Sequence, residues 1–251
     1  MHTEYFKWYS PRMGRDMECK LYGHAGRPFL FVPCQNGRFF DFENFRMADT
    51  WQPWIDSGKV TVFAIDTVDK ETWSDLNGDA YWRARRYEQW IDYIVYEVVP
   101  LIRDIVRGRG GPDNVGVTAF GCSLGALHAA NLALRYPDHF TGLLALSGIY
   151  TAEYGFGGYM DEVVYRNSPV NYMADMPHDH YFIEKYNRNQ IVICAGQGAW
   201  ERPETTCRLR DIFAAKGIHA WVDLWGGDVF HDWDWWFRQV AYFLPRMLGE
   251  A

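Results

Sequence analysis

The stretch VTAFGCSLGALHAAN, residues 117–131, carries the decisive pattern of the chain. Val117 to Phe120 form a β-prone apolar run, and Ala126 to Asn131 are good helix formers. Between them Gly121 and Gly125 flank Cys122, Ser123 and Leu124. A glycine in a helix interior costs about 1 kcal/mol relative to alanine, so two so close together call for a reason. Tight packing at a strand-to-helix turn is one. The other is a G-x-S-x-G turn that lifts a serine hydroxyl above a sheet, for which a preceding strand and a following helix are the confirming context. In such a turn, side chains at 121 and 125 would collide with the neighbouring helix and strand. The amide of Leu124 would then open a helix and could hold a developing oxyanion.

A serine hydroxyl is a poor nucleophile without a base, and this kind of site has the chain order serine, acid, histidine. His231, in GGDVFHDWDWW (226–236), lies between the last strand and the closing helix and is the candidate base. His219 opens the strand itself and reads as structural or exposed. In CAGQGAWERPE (194–204), Glu201 is the first carboxylate after the preceding strand and the candidate acid. Glu204, expected in the first turn of the next helix where the dipole favours an acid, and Asp228, on the histidine's own loop, are the alternatives. A second oxyanion donor is expected from PCQNGRFF (33–40), with the amide of Asn36 best placed and Gln35 next. An ordinary Asn-Gly turn would use the same letters.

The bulk numbers bound the rest. At 251 residues, 48% hydrophobic and 23% charged, the chain has the make-up of an ordinary globular protein. A net charge of −7 provides no basic stripe for phosphates and argues against a nucleic-acid partner. Arg83-Ala84-Arg85-Arg86 reads as a solvated helix face. Five cysteines without a C-x-x-C pair suggest neither zinc ribbon nor redox motif and suit a reducing cytoplasm. No signal-peptide core or membrane-length apolar run is visible. No metal or other cofactor is expected, since His178-Asp179-His180, adjacent in sequence, reads as a polar loop rather than a ligand set. Trp233, Trp236 and Val240 share a helical face, so packing accounts for at least two of the tryptophans near His231. The 12 tryptophans in all need an outlet in core or pocket.

Strands and helices alternate along the chain. A hairpin is expected over 3–24, and strands over 28–34, 59–66, 115–120, 142–148, 190–196 and 219–225. Helices are expected near 50–56, over 79–107 with an interruption at Pro100, after Ser123 to 136, over 208–216 and over 232–248. This is the pattern of a mostly parallel sheet covered on both faces, the α/β class. The chain reads as one domain, 1–251. Residues 149–189 are too many for a bare loop and read as a small helical cap at the strand ends, where such sheets place their sites.

With GCSLGALHAANLALRYPD (121–138), NSPVNY (167–172), the strand and Trp-Glu stretch at 191–201, and HDWDWW (231–236), the chain resembles the esterase D-like family of α/β-hydrolases. That group includes S-formylglutathione hydrolases, feruloyl and siderophore esterases, and mycolyl transferases. The resemblance implies an α/β-hydrolase fold and a triad of Ser123, His231 and Glu201. It departs from the family in having Cys-Gln-Asn-Gly where His-Gly-x-Gly is commoner, and a glutamate on a longer acid loop. The expected activity is hydrolysis of small-molecule carboxylic esters, short- to medium-chain or aromatic, through an acyl-enzyme. Acyl transfer by the same residues and a non-catalytic binding module are the alternatives. No membrane partner is expected, and a homo-oligomer is left open.

Overall fold

A computed structural model describes residues 1–250. Eight strands form one sheet in the order β1-β2-β4-β3-β5-β6-β7-β8. They are β1 (Thr3–Ser10), β2 (Arg15–Tyr22), β3 (Arg27–Val32), β4 (Val60–Ile65), β5 (Val117–Cys122), β6 (Phe140–Leu146), β7 (Gln190–Ala195) and β8 (Trp221–Leu224). β1 and β2 make the expected hairpin, β2 runs antiparallel to β4, and all other pairs are parallel. β3 is flanked by β4 and β5, so the order of the chain reverses there, and a crevice opens beyond the ends of β3 and β5.

The buried strands obey the period-two rule on both faces. Leu30, Val32, Phe63 and Ile65 enter one apolar cluster, Phe29, Phe31, Val62 and Ala64 the other. Trp51, Trp73 and Trp90, all fully buried, show where much of the aromatic content goes.

Several elements differ from the expectations. The long helix is three pieces, Ala80–Tyr93, a π-helical turn over Ile94–Val98, and Val99–Gly108. Pro100 has no N–H to give the preceding turn, and its ring crowds the carbonyl four residues back, so the helix widens just ahead of it. The helices expected near 50 and 208 begin earlier, at Met47 and Glu204. The last strand is shorter than its alternation suggested.

The basic cluster is not a solvated face. Arg83 is buried and donates to the carbonyls of Thr72 (2.7 Å) and Gly155 (2.6 Å). Arg85 pairs with Asp161 and Arg86 with Glu71. A guanidinium is long enough to bridge chain segments that periodicity alone leaves unrelated.

Residues 149–189 hold four short helices, Glu153–Phe156, Glu162–Tyr165, Pro169–Asp175 and Phe182–Arg188. Their Phe156, Val164, Val170, Met173 and Tyr186 join the larger apolar cluster. No helix among the described residues is long and apolar enough to cross a membrane.

The glycines of the opening stretch are required sterically. A Cβ at Gly121 would lie 2.2 Å from the Gly125 carbonyl oxygen, and one at Gly125 would lie 2.4 Å from those of Val32 and Pro33. Gly125→Ala should therefore destabilise the protein by about 1–3 kcal/mol. Thermal unfolding should register a drop in Tm of several degrees, and an unchanged Tm would mean that the helix can move off β3 at no cost.

Candidate active site

Ser123 follows β5 and precedes the helix Leu124–Arg135. Its φ of 58° and ψ of −128° are strained for a residue with a side chain, at a cost of about 1–3 kcal/mol. The conformation is held by the Ser123 amide, which donates to the Leu146 carbonyl (2.9 Å), and by the two glycine contacts described above. The amide of Leu124 is in the first turn of a helix and has no acceptor among the described residues.

His231 meets the serine. The Ser123 hydroxyl lies in hydrogen-bond contact with His231 Nε2 at 2.9 Å. On the other side of the ring, Nδ1 faces Glu201 Oε2 at 3.7 Å. At that distance the contact is longer than a hydrogen bond, and contacts of this kind commonly tighten only with substrate bound. The two loops are tied by backbone bonds from Gly198 N–H to the Val229 carbonyl (2.9 Å) and from His231 N–H to the Ala199 carbonyl (3.1 Å). A Cβ at Gly196 or Gly198 would intrude on Val229, which explains why the acid loop is glycine-rich.

Of the other carboxylates, Glu204 is exposed and begins the next helix, and Asp228 is exposed in its turn. Neither makes an ion pair with His231 among the described residues. His219 is exposed.

Glu201 is seated by a residue that the sequence reading missed. Its side chain is 1% exposed, and the Ser147 hydroxyl donates to its Oε1. Trp236 Nε1 in turn donates to Ser147 Oγ at 2.9 Å, while its ring meets that of His231 edge-on at 5.1 Å. Trp236 and Val240 are core residues, as the shared helical face suggested, and Trp233 packs against them. Ser147 itself has φ 55°. The only sequence trace of its role is a Ser-Gly pair ending a strand, which any turn could supply.

Asn36, at φ 62°, stands in the turn after β3, but its N–H is already given to Asp69 Oδ2 (2.9 Å). The Gln35 N–H has no acceptor among the described residues. Its side chain donates to Ser74 Oγ (2.8 Å) and accepts from the Tyr154 hydroxyl (3.1 Å). Asp69 belongs to a buried set. Its Oδ1 contacts His128 Nε2 at 3.0 Å, and the Tyr87 hydroxyl contacts His128 Nδ1 at 2.8 Å. Burial pushes the Tyr87 phenol far up, so it remains a donor. With Nδ1 accepting, the His128 ring donates from Nε2 to the carboxylate. Thus the helix that carries Ser123 is linked through His128 and Asp69 to the turn at Asn36.

Four of the five non-glycine residues with positive φ, Asn36, Ser123, Ser147 and Trp200, belong to this one region. Strain so concentrated marks a functional site. Cys122, next to the serine, is buried, and burial pushes its thiol well up, so it offers no competing nucleophile. Above Ser123 an open cleft of about 220 Å³ is lined by Ser123, Leu124, Ile149, Tyr154, Trp200, Arg202 and His231.

Comparison with known proteins gives the family and the fold. The family model described as "Putative esterase" matches residues 10–246, so the chain belongs to that family and is an ester hydrolase. Among solved structures it is similar to a ferulic acid esterase, at 14% identity and a TM-score of 0.74 over 99% of this chain and 98% of that one. It is also similar to MPT51 from Mycobacterium tuberculosis (15%, TM-score 0.73, 100% and 99% covered). A third is S-formylglutathione hydrolase from Staphylococcus aureus (13%, TM-score 0.67, 98% and 97% covered). At these identities the likeness to the solved structures is one of fold, the α/β-hydrolase fold. No curated protein sequence matches.

Replacing Ser147 by Ala would leave Glu201 Oε1 and Trp236 Nε1 without a shared partner in a buried place. Chemical denaturation should show a loss of about 2 kcal/mol. A loss under 0.5 kcal/mol would mean that water replaces the hydroxyl.

Proposed function

We propose that the protein is a serine carboxylesterase in which Ser123 is the nucleophile, His231 the base and Glu201 the acid. The observation that carries this reading is the 2.9 Å contact between Ser123 Oγ and His231 Nε2 at a strained turn opening a helix. His231 takes the serine proton as Oγ attacks the ester carbonyl. Glu201 orients the ring and stabilises the imidazolium. The oxyanion rests on the N–H of Leu124 and, in place of the expected Asn36, on that of Gln35, whose amide is uncommitted. Collapse expels the alcohol, which takes its proton from His231. Water then attacks the acyl-enzyme by the same route and frees the acid. The cleft of about 220 Å³ is smaller than a typical drug-sized site. Within the expected range it favours short acyl or compact aromatic esters, with residues 149–189 acting as a cap that supplies Tyr154.

A p-nitrophenyl ester series from acetate to decanoate should show a short-chain optimum. Ser123→Ala should abolish turnover and labelling by a serine-directed phosphonate while the fold is retained. Activity surviving that substitution would refute the assignment.

Asp69 acts in this scheme as a positioning residue, because it sets the turn that bears the Gln35 amide. Asp69→Asn keeps the size of the side chain but weakens the bonds to Asn36 and His128. Since a whole oxyanion donor accounts for about 10²–10³ in kcat, a fall of roughly tenfold in kcat with KM little changed is expected. A change confined to KM, or none in a folded variant, would remove Asp69 from the scheme.

A further inference from the structure

The lining of the cleft above Ser123 contains no carboxylate. Apart from His231, its one ionisable cation is Arg202. The Arg202 side chain is exposed and makes no ion pair or hydrogen bond among the described residues. By contrast, Arg38, in the turn after β3, is committed to Glu18 and Asp66, and Arg83 to two carbonyls. An uncommitted guanidinium inside the reaction cleft of a protein with net charge −7 is a local feature, not part of a general basic surface.

Its neighbours show how it comes to be there. Glu201 is turned inward and held by Ser147, while Trp200 and Arg202 on either side line the cleft. Trp200 has φ 67° and is 87% exposed. A strained backbone that presents a large apolar ring to water gains nothing from burial in the free protein. A ligand lying against the indole would recover that burial. Tyr154, held by Gln35, supplies a second aromatic wall.

We propose that Arg202 is the specificity-determining residue of this cleft and binds a carboxylate carried by the substrate, with Trp200 covering the chain between that carboxylate and the ester. This rests on the reading of Ser123 as the esterase nucleophile. The guanidinium fork matches a planar carboxylate in two parallel hydrogen bonds. One cation suits one negative charge, whereas a phosphate dianion would ordinarily draw a second cation, and the only other one in the lining, His231, is engaged with Ser123. The substrate class is therefore small half-esters, with an ester at one end, a free carboxylate at the other and a short spacer suited to a cleft of about 220 Å³.

The test compares monomethyl glutarate with the methyl ester of glutaric acid monoamide, a neutral substrate of nearly the same shape, by pH-stat. Wild type should prefer the anion in kcat/KM by roughly tenfold or more. Arg202→Ala should bring the ratio towards one, Arg202→Lys should retain part of it, and Arg202→Glu should invert it. A parallel NMR titration of the two compounds into Ser123→Ala, with and without Arg202→Ala, reads binding alone. If turnover is absent in wild type but Arg202-dependent preference for the anion persists in this titration, the esterase reading fails and the carboxylate site stands. If the anion and the amide are treated alike, or if the preference survives Arg202→Ala, the proposal is overturned.

Discussion

The site depends on how closely the helix Leu124–Arg135 approaches the end of β3. With carbonyl oxygens of Val32 and Pro33 2.4 Å from where a Cβ of Gly125 would be, only hydrogen fits. The same is true of Gly121 against the first turn of that helix. This contact sets the sharp entry of the chain into the helix, and with it the strained Ser123. It also brings the turn at Cys34–Gly37 beside the helix N-terminus. A methyl group at either glycine would separate these elements.

Strain of this kind persists only where the surroundings over-determine it, and two buried polar sets do so here. Tyr87, His128 and Asp69 connect the helix Leu124–Arg135 to the turn at Asn36. Trp236, Ser147 and Glu201 connect the closing helix to the acid loop. In each, buried polar groups hold one another, and leaving one unpaired would cost about 1–3 kcal/mol, so the sets resist rearrangement. Trp73 and Trp90 pack edge-on around His128, which excludes water from the first set. Part of the aromatic content of the chain thus surrounds polar groups as well as filling the core.

Residues 149–189 are attached through the same logic. Arg83 reaches the Gly155 carbonyl, Arg85 reaches Asp161, and Arg135 reaches the side chain of Asn167. Together with the apolar residues that this segment contributes to the main cluster, these contacts hold Tyr154 over the cleft.

Much was legible in the sequence. The alternation of strands and helices, the glycine-flanked serine and the histidine after the last strand are local patterns, set by backbone sterics and by the period of burial. Three things were not legible. Arg83 reads as surface because helical periodicity is blind to a side chain that bridges to another segment. Asn36 reads as an oxyanion donor because its turn is visible in the letters, while Asp69, thirty-three residues on, takes its amide only in three dimensions. Ser147 has no local signature, since its role exists only once β6, the acid loop and the closing helix meet. The sequence by itself determined the class of fold and brought forward the candidate site residues, because each depends on neighbours in the chain. The tertiary structure alone decided which amide is free, what seats the acid and which charge faces the cleft, because hydrogen bonds and burial are settled between segments far apart in sequence.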